Sequence, residues 1–240
     1  MSPTQKWGKR GYFSKVSMRG KGCGVRAERG AITGKALVSS VVAVLVLEAV
    51  LRVTPAMAPA NRILLLGLTR LLQAGALIGV VALLEGDLAT IGLQKENLYQ
   101  GVQRGLVWSA GFGITALAAL GLLLMAGIEV RPYLHTRLPA SPKDLVLFFM
   151  VGGLAAPVAE EVFFRGILYG FFRRWGVITA LVLSTGIFLV AHPLQGAFPV
   201  TQVAGGILFA VAYEVEGSLM VPIIIHATGN MVIFTVSLVI

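Results

Sequence analysis

The sequence predicts an all-α polytopic membrane protein with about seven transmembrane helices. The 240 residues are 56% hydrophobic and 13% charged, with a mean hydropathy of +0.83, which is too apolar for a soluble domain. Apolar runs that approach the length of a bilayer span also recur along the chain, separated by short segments with proline, glycine and charged residues. Composition and the recurrence of these runs therefore both place most of the chain in lipid.

The net charge of +9 at pH 7 is concentrated at the N-terminus. We expect residues 1–33 to form a disordered cytoplasmic tail, because they lack an apolar run and because anionic lipid retains basic segments on the inner side. No folded nucleic-acid-binding module accompanies this tail, so no nucleic-acid partner is expected. The single cysteine, Cys23, excludes an internal disulfide framework. The basic residues ahead of or at the start of the first apolar run are Lys6, Lys9, Arg10, Lys15, Arg19, Lys21, Arg26, Arg29 and Lys35.

The first part of the predicted membrane region, residues 34–143, contains transmembrane helices but no motif with readable chemistry. Residues 85–104 are expected to form a polar connection, because their glycines, Gly101 among them, argue against a long helix. The three predicted spans are residues 36–51, 63–84 and 106–128.

The second part, residues 144–240, differs because each predicted span carries a polar residue at membrane depth. The fourth span runs from about residue 145 into the Glu160-Glu161 pair, and Pro157 is expected to kink it. The last three spans are residues 177–191, 201–213 and 219–240, so that the four C-terminal spans are expected to enclose a catalytic cavity.

Three charged residues lie close together within the fourth span. Glu161 and Arg165 are four residues apart, which makes them neighbours on one helix face with the acid N-terminal to the base. Glu160 points about 100° away and has no partner on its own helix. A charge at the centre of a span costs about 2.5–3.5 kcal/mol on insertion scales, so these residues are expected to be paired or to face a wet interior.

Two histidines and an asparagine on later spans complete a candidate catalytic set. His192 ends the fifth span, and His226 and Asn230 lie four residues apart on the last. A carboxylate with a nearby imidazole can activate water, and an amide or a second imidazole can donate to an oxyanion. An activated serine is not predicted, because Ser184 has no acid or histidine at helical spacing.

These residues form three ordered motifs on membrane spans, and the motifs resemble those of the CPBP family of intramembrane proteases, also called the CAAX protease and bacteriocin-processing (Abi) family. The resemblance covers roughly residues 144–240. It implies that Glu161 and Arg165 form a supporting pair that fixes the helix. The motifs are Glu160-Glu161-x-x-x-Arg165, Phe188-x-x-x-His192 and His226-x-x-x-Asn230.

The resemblance further implies a glutamate-dependent endopeptidase that needs no cofactor. Glu160 would be the general base for water, assisted by His192, while His226 and Asn230 would stabilise the oxyanion. The expected partners are the lipid bilayer and a membrane-embedded or lipidated peptide or protein substrate. The expected location is the bacterial cytoplasmic membrane, as an integral multi-pass protein. Neither the substrate nor the oligomeric state can be read from the sequence.

Other interpretations of the same residues stay open at this point. The charged cluster could be a structural ion pair, and His226 and Asn230 could supply hydrogen bonds between helices. Glu160, His192 and His226 could form a zinc site, although the chain has no His-Glu-x-x-His helix. A non-catalytic scaffold or immunity protein and a proton-coupled transporter are the alternative functions.

Overall fold

The computed structural model describes residues 31–54, 59–192 and 199–239, and within these ranges the fold is helical with no strand. Seven long helices and one short helix, α4, form the bundle. They are α1 (Gly34–Val53), α2 (Pro59–Leu84), α3 (Leu98–Met125), α4 (Arg131–Leu134), α5 (Pro142–Trp175), α6 (Val177–Ala191), α7 (Val200–Glu216) and α8 (Met220–Ser237).

Five helices in the described ranges are long and apolar enough to cross a membrane, so the all-α multi-pass class is confirmed but the number seven is not. These are α1, α2, α3, α5 and α8. Helix α6 has 15 residues, which rise roughly 22 Å at 1.5 Å per residue and fall short of the roughly 30 Å hydrocarbon core. Helix α7 has 17 residues, and its C-terminal turn contains Glu214 and Glu216.

The prediction of a polar connection through residue 104 is wrong in its second half, because α3 begins at Leu98. Gly101 and Gly105 lie inside this helix and face α8. A Cβ atom at Gly101 would lie 2.8 Å from the Cβ of Met220, and one at Gly105 would lie 2.7 Å from the Cβ of Ile224. These glycines permit close helix packing and do not break the helix.

The true connection between α2 and α3 packs against α5 and the start of α8. Its 3₁₀ turn at Leu88–Ile91 ends at Gly92, whose φ of +74° favours glycine. The Gly92 carbonyl accepts a hydrogen bond from the Leu219 amide at 3.1 Å, and Ile91 is fully buried against Gly166. The connection therefore joins the start of α8 to the middle of α5.

Helix α5 continues through Pro157. Two π-helical segments, Val151–Ala155 and Val162–Tyr169, flank the short α-helical stretch that carries Pro157 and both glutamates. Around Pro157, where the sequence predicts a kink, the structure has wide turns within one continuous helix, which is a common adjustment near functional residues.

Most of the predicted basic tail, residues 1–30, lies outside the described residues. At its end, Ile32 is fully buried, and the Arg174 guanidinium donates a hydrogen bond to the Ile32 carbonyl. Thr33 caps α1 by accepting from the Ala36 amide at 3.2 Å, and its own amide donates to Glu85 at 2.8 Å. The chain therefore enters α1 from a position fixed against the C-terminal end of α5.

Candidate active site

The buried ion pair predicted from helical spacing is present on α5. Arg165 Nη1 lies 3.0 Å from Glu161 Oε1, and both side chains are almost completely buried. Arg165 Nη2 also donates to the Gly206 carbonyl on α7 at 3.1 Å. The guanidinium carbon lies 4.8 Å from the ring centre of Phe188 and 5.1 Å from that of Phe209, so the cation also has aromatic partners.

His226 contacts the same buried carboxylate from α8. Its Nδ1 atom lies 2.7 Å from Glu161 Oε1, and its ring stacks on Phe209 with 4.7 Å between centroids and 18° between planes. His226 is among the residues predicted from the sequence, but neither of these contacts is. Phe209 lies in an apolar stretch of α7, where nothing in the sequence distinguishes it from an ordinary packing residue.

His192 lies at the end of α6, and its ring is held by the preceding turn. Its Nδ1 atom lies 2.8 Å from the Phe188 carbonyl oxygen, and its ring centre lies 4.2 Å from that of Phe188. The side chain is 27% exposed. Phe188 therefore contacts His192 through its ring and through its backbone carbonyl.

Glu160 faces both histidines. Its Oε2 atom lies 3.7 Å from His192 Nε2 and 3.8 Å from His226 Nε2, and the side chain is 18% exposed. These separations are too long for direct hydrogen bonds, so the carboxylate and both imidazole nitrogens keep capacity to bond to a water molecule beside them. Glu160 thus differs from its neighbour Glu161, which is buried and held by two partners.

Asn230 lies one helical turn beyond His226 on α8. Its side-chain Nδ2 donates to the Gly152 carbonyl at 2.8 Å, within the first π-helical segment of α5. The amide group has two N–H bonds, so this contact uses one and leaves the other. The structure therefore brings five of the six candidate residues into one contact network and connects Asn230 to the backbone of the helix that carries the glutamates.

Other carboxylates near helix ends pair with arginines away from this network. These pairs join neighbouring helices, and α7 is connected through them to α5 and to α3. These carboxylates differ from Glu160, because they pair with arginines whereas Glu160 faces two imidazoles. The pairs are Glu48 with Arg70, Glu214 with Arg173, and Glu216 with Arg104.

Metal binding was the alternative considered for Glu160, His192 and His226. Across the described ranges, no group of three or more histidine, cysteine, aspartate and glutamate side chains is arranged so that it could hold a metal ion. The absence of a cofactor remains an expectation that requires a chelator experiment.

The fold and the site define the class of protein. It is an integral multi-pass membrane protein, and the bundle formed by α5 to α8 holds a partly exposed glutamate opposite two histidines. Residues 142–232 match the family model described as type II CAAX prenyl endopeptidase Rce1-like. The matched residues include all three motifs, and the matched model describes proteases of the same CAAX protease family that the motifs resemble. Comparisons with curated proteins and with solved structures give no match.

Proposed function

We propose that the protein is an intramembrane endopeptidase that hydrolyses a peptide bond in a membrane-anchored or lipidated substrate. In this proposal, Glu160 and His192 activate the attacking water. The bacterial cytoplasmic membrane is the proposed location, on the family resemblance alone.

The observation that carries the proposal is the arrangement around Glu160 Oε2. This atom lies 3.7 Å and 3.8 Å from the Nε2 atoms of His192 and His226. The guanidinium of Arg165, on the same helix, is bonded to Glu161 and to the Gly206 carbonyl. A partly exposed carboxylate with the Nε2 atoms of two imidazoles turned toward it is suited to hold and deprotonate one water molecule.

The proposed reaction balances with water as the only co-reactant. Glu160 takes one proton from water while the oxygen bonds to the carbonyl carbon, and the carbonyl π electrons move to the oxygen. The C–N bond then breaks, and Glu160 returns the proton to the leaving nitrogen. The products are a new carboxyl group and a new amine, and the glutamate regains its original state.

The oxyanion that forms on the carbonyl oxygen requires N–H donors close to Glu160. His226 Nε2 faces Glu160, and Asn230 retains one amide N–H beside its bond to Gly152. We assign the oxyanion to these two donors. Each is held by a bond to α5, which keeps it in place before the charge develops.

The proposed substrate class follows from the location of the site. Glu160 lies near the middle of the 34-residue helix α5, and His192 ends the short helix α6. A peptide bond must therefore reach these residues within the bilayer, and a membrane anchor or a lipid group would hold it at that depth.

The experiment is cleavage of membrane-anchored and prenylated peptides by purified protein in liposomes. Glu160→Gln keeps the shape of the side chain but cannot accept a proton, so we expect turnover to fall by about 10²–10⁴-fold. The matched control is Glu216→Gln, which changes a carboxylate that pairs with Arg104 outside the site. A zinc chelator is added in a parallel arm.

Cleavage that is lost in Glu160→Gln, kept in Glu216→Gln and unaffected by the chelator would support a metal-free glutamate mechanism. Near-normal turnover in Glu160→Gln would remove this residue as the base. If turnover is lost with the chelator and returns with zinc, a metal-dependent reaction replaces the one proposed.

A further inference from the structure

The contact between His226 and Glu161 fixes where the histidine carries a proton. His226 Nδ1 lies 2.7 Å from Glu161 Oε1, and that oxygen also accepts from Arg165 Nη1 at 3.0 Å. An ionised carboxylate has no proton to donate, and its pairing with a guanidinium favours the ionised form. The Nδ1 atom of His226 must therefore carry the hydrogen of this bond.

The same reasoning applies to the other histidine. His192 Nδ1 lies 2.8 Å from the Phe188 carbonyl oxygen, which can only accept a hydrogen bond. Both rings therefore hold a hydrogen on Nδ1 and turn Nε2 toward Glu160. If both rings were neutral, neither Nε2 atom could donate to an oxyanion.

The charges around His226 identify which ring gains a second proton. Helix α5 contributes Glu160, Glu161 and Arg165, helix α6 contributes His192, and α8 contributes the neutral Asn230. From α7, the ring facing His226 is Phe209, which is uncharged.

Two carboxylates and one guanidinium leave one negative charge inside the bundle, where unbalanced charge is costly. His226 lies between the two carboxylates, with one nitrogen toward each. His192 faces only one of them and is more exposed. A proton on His226 therefore neutralises the site at its centre.

We propose that Glu161 is a positioning residue that holds His226 as an imidazolium, with its Nε2–H directed to the side of Glu160. This inference rests on the proposed function for its catalytic meaning, since the Nε2–H is the donor to the oxyanion. Glu161 exchanges no proton during the reaction. Glu160 alone carries the proton from water to the leaving amine, and His226 keeps both of its protons.

The first test is nitrogen NMR of the protein in detergent or nanodiscs, with nitrogen-15 in its histidines. The chain has three histidines, so His226→Gln and His135→Gln assign the signals. Near pH 7 we expect wild-type His226 to show two protonated ring nitrogens. We expect Glu161→Gln to convert this ring to a neutral form and Glu216→Gln to leave it unchanged.

The second test is kinetic and uses a substrate that the wild-type protein cleaves. Glu161→Gln should lower kcat by about 10²-fold or more with little change in KM, because the lost donor acts only in the transition state. A residue that merely supports the fold would lower the amount of active protein and leave the NMR state of His226 as it was.

A neutral His226 in the wild-type protein, in either tautomer, would overturn the inference. So would a Glu161→Gln protein whose His226 signals and kcat match those of Glu216→Gln. If Glu161→Gln does not fold, the wild-type spectrum decides, and the double variant Glu161→Gln with Arg165→Met supplies the comparison. The NMR outcome does not depend on cleavage, so failure of the proposed protease activity and failure of this inference are separable.

Discussion

Replacement of Arg165 by methionine measures the energetic role of the buried ion pair on α5. The substitution keeps the length of the apolar stem and removes the guanidinium. In the folded protein this group donates to Glu161 at 3.0 Å and to the Gly206 carbonyl at 3.1 Å. Glu161 would then remain fully buried with only His226 as a partner.

Removal of one partner of a buried pair costs about 3–5 kcal/mol, because the other charge stays buried with less compensation. For a chain of 150–250 residues each kcal/mol corresponds to about 2–4 °C in Tm, so Arg165→Met should lower Tm by roughly 6–20 °C. The control is Arg104→Met, in which the arginine side chain of the pair with Glu216 is 53% exposed. Exposed pairs contribute about 0–1 kcal/mol, so the control should change little.

The assay is thermal unfolding of purified protein in detergent, with the double variant Glu161→Gln and Arg165→Met beside both single variants. The double variant should recover part of the loss, because the buried carboxylate of Glu161 is then removed together with the guanidinium that pairs with it. An Arg165→Met protein with a Tm equal to that of Arg104→Met would refute the reasoning. It would mean that water reaches Glu161 and that the placement of α5 is wrong.

Two further predictions concern helix packing and the aromatic surroundings of the site. Gly105→Ala should destabilise the protein by about 1–3 kcal/mol, since the new Cβ would lie 2.7 Å from the Cβ of Ile224. The control is Gly111→Ala on the same helix, whose new Cβ meets nothing within 4 Å and should be neutral or slightly stabilising. Equal Tm values for the two variants would contradict the close approach of α3 and α8. Phe209→Leu removes the ring stacked on His226. An aromatic pair contributes about 0.5–1.5 kcal/mol, so kcat should fall by up to about tenfold while KM stays unchanged. An unchanged kcat would show that Glu161 alone holds the imidazole.

The parts of the site that sequence could predict are those set by local geometry. Glu161 and Arg165 are one helical turn apart, so their pairing follows from the pitch of the helix, and the structure confirms it. The same pitch sends Glu160 in another direction. The order of the three motifs along the chain likewise indicates the family without reference to any contact in the structure.

The contacts that sequence could not predict are between residues far apart in the chain. His226 and Glu161 are separated by 65 positions, and their bond depends on how α8 packs against α5. Gly101 was misread for a related reason. A glycine that breaks a helix and a glycine that admits a neighbouring helix look alike until the neighbour, here the start of α8, is in place.

The predicted number of seven spans is not confirmed, because the length and the hydropathy of a helix vary separately. Helix α6 is strongly apolar but only 15 residues long, and α7 contains polar and small residues among its apolar ones. Both pack against each other and contribute to the site, although neither meets the criteria of a candidate span. The predicted cavity among the last four helices stays a prediction, with Glu160 and His192 as its partly exposed residues.

Two adjacent glutamates acquire different properties here because adjacent residues on a helix point about 100° apart. That angle directs Glu161 into the core, where Arg165 and His226 hold it, and leaves Glu160 partly exposed and opposite two imidazoles. A buried carboxylate with two fixed partners is suited to hold its neighbours in place, and a partly exposed carboxylate is suited to exchange a proton with water. Neither glutamate can replace the other, so a single substitution at either position should impair the site by a different route.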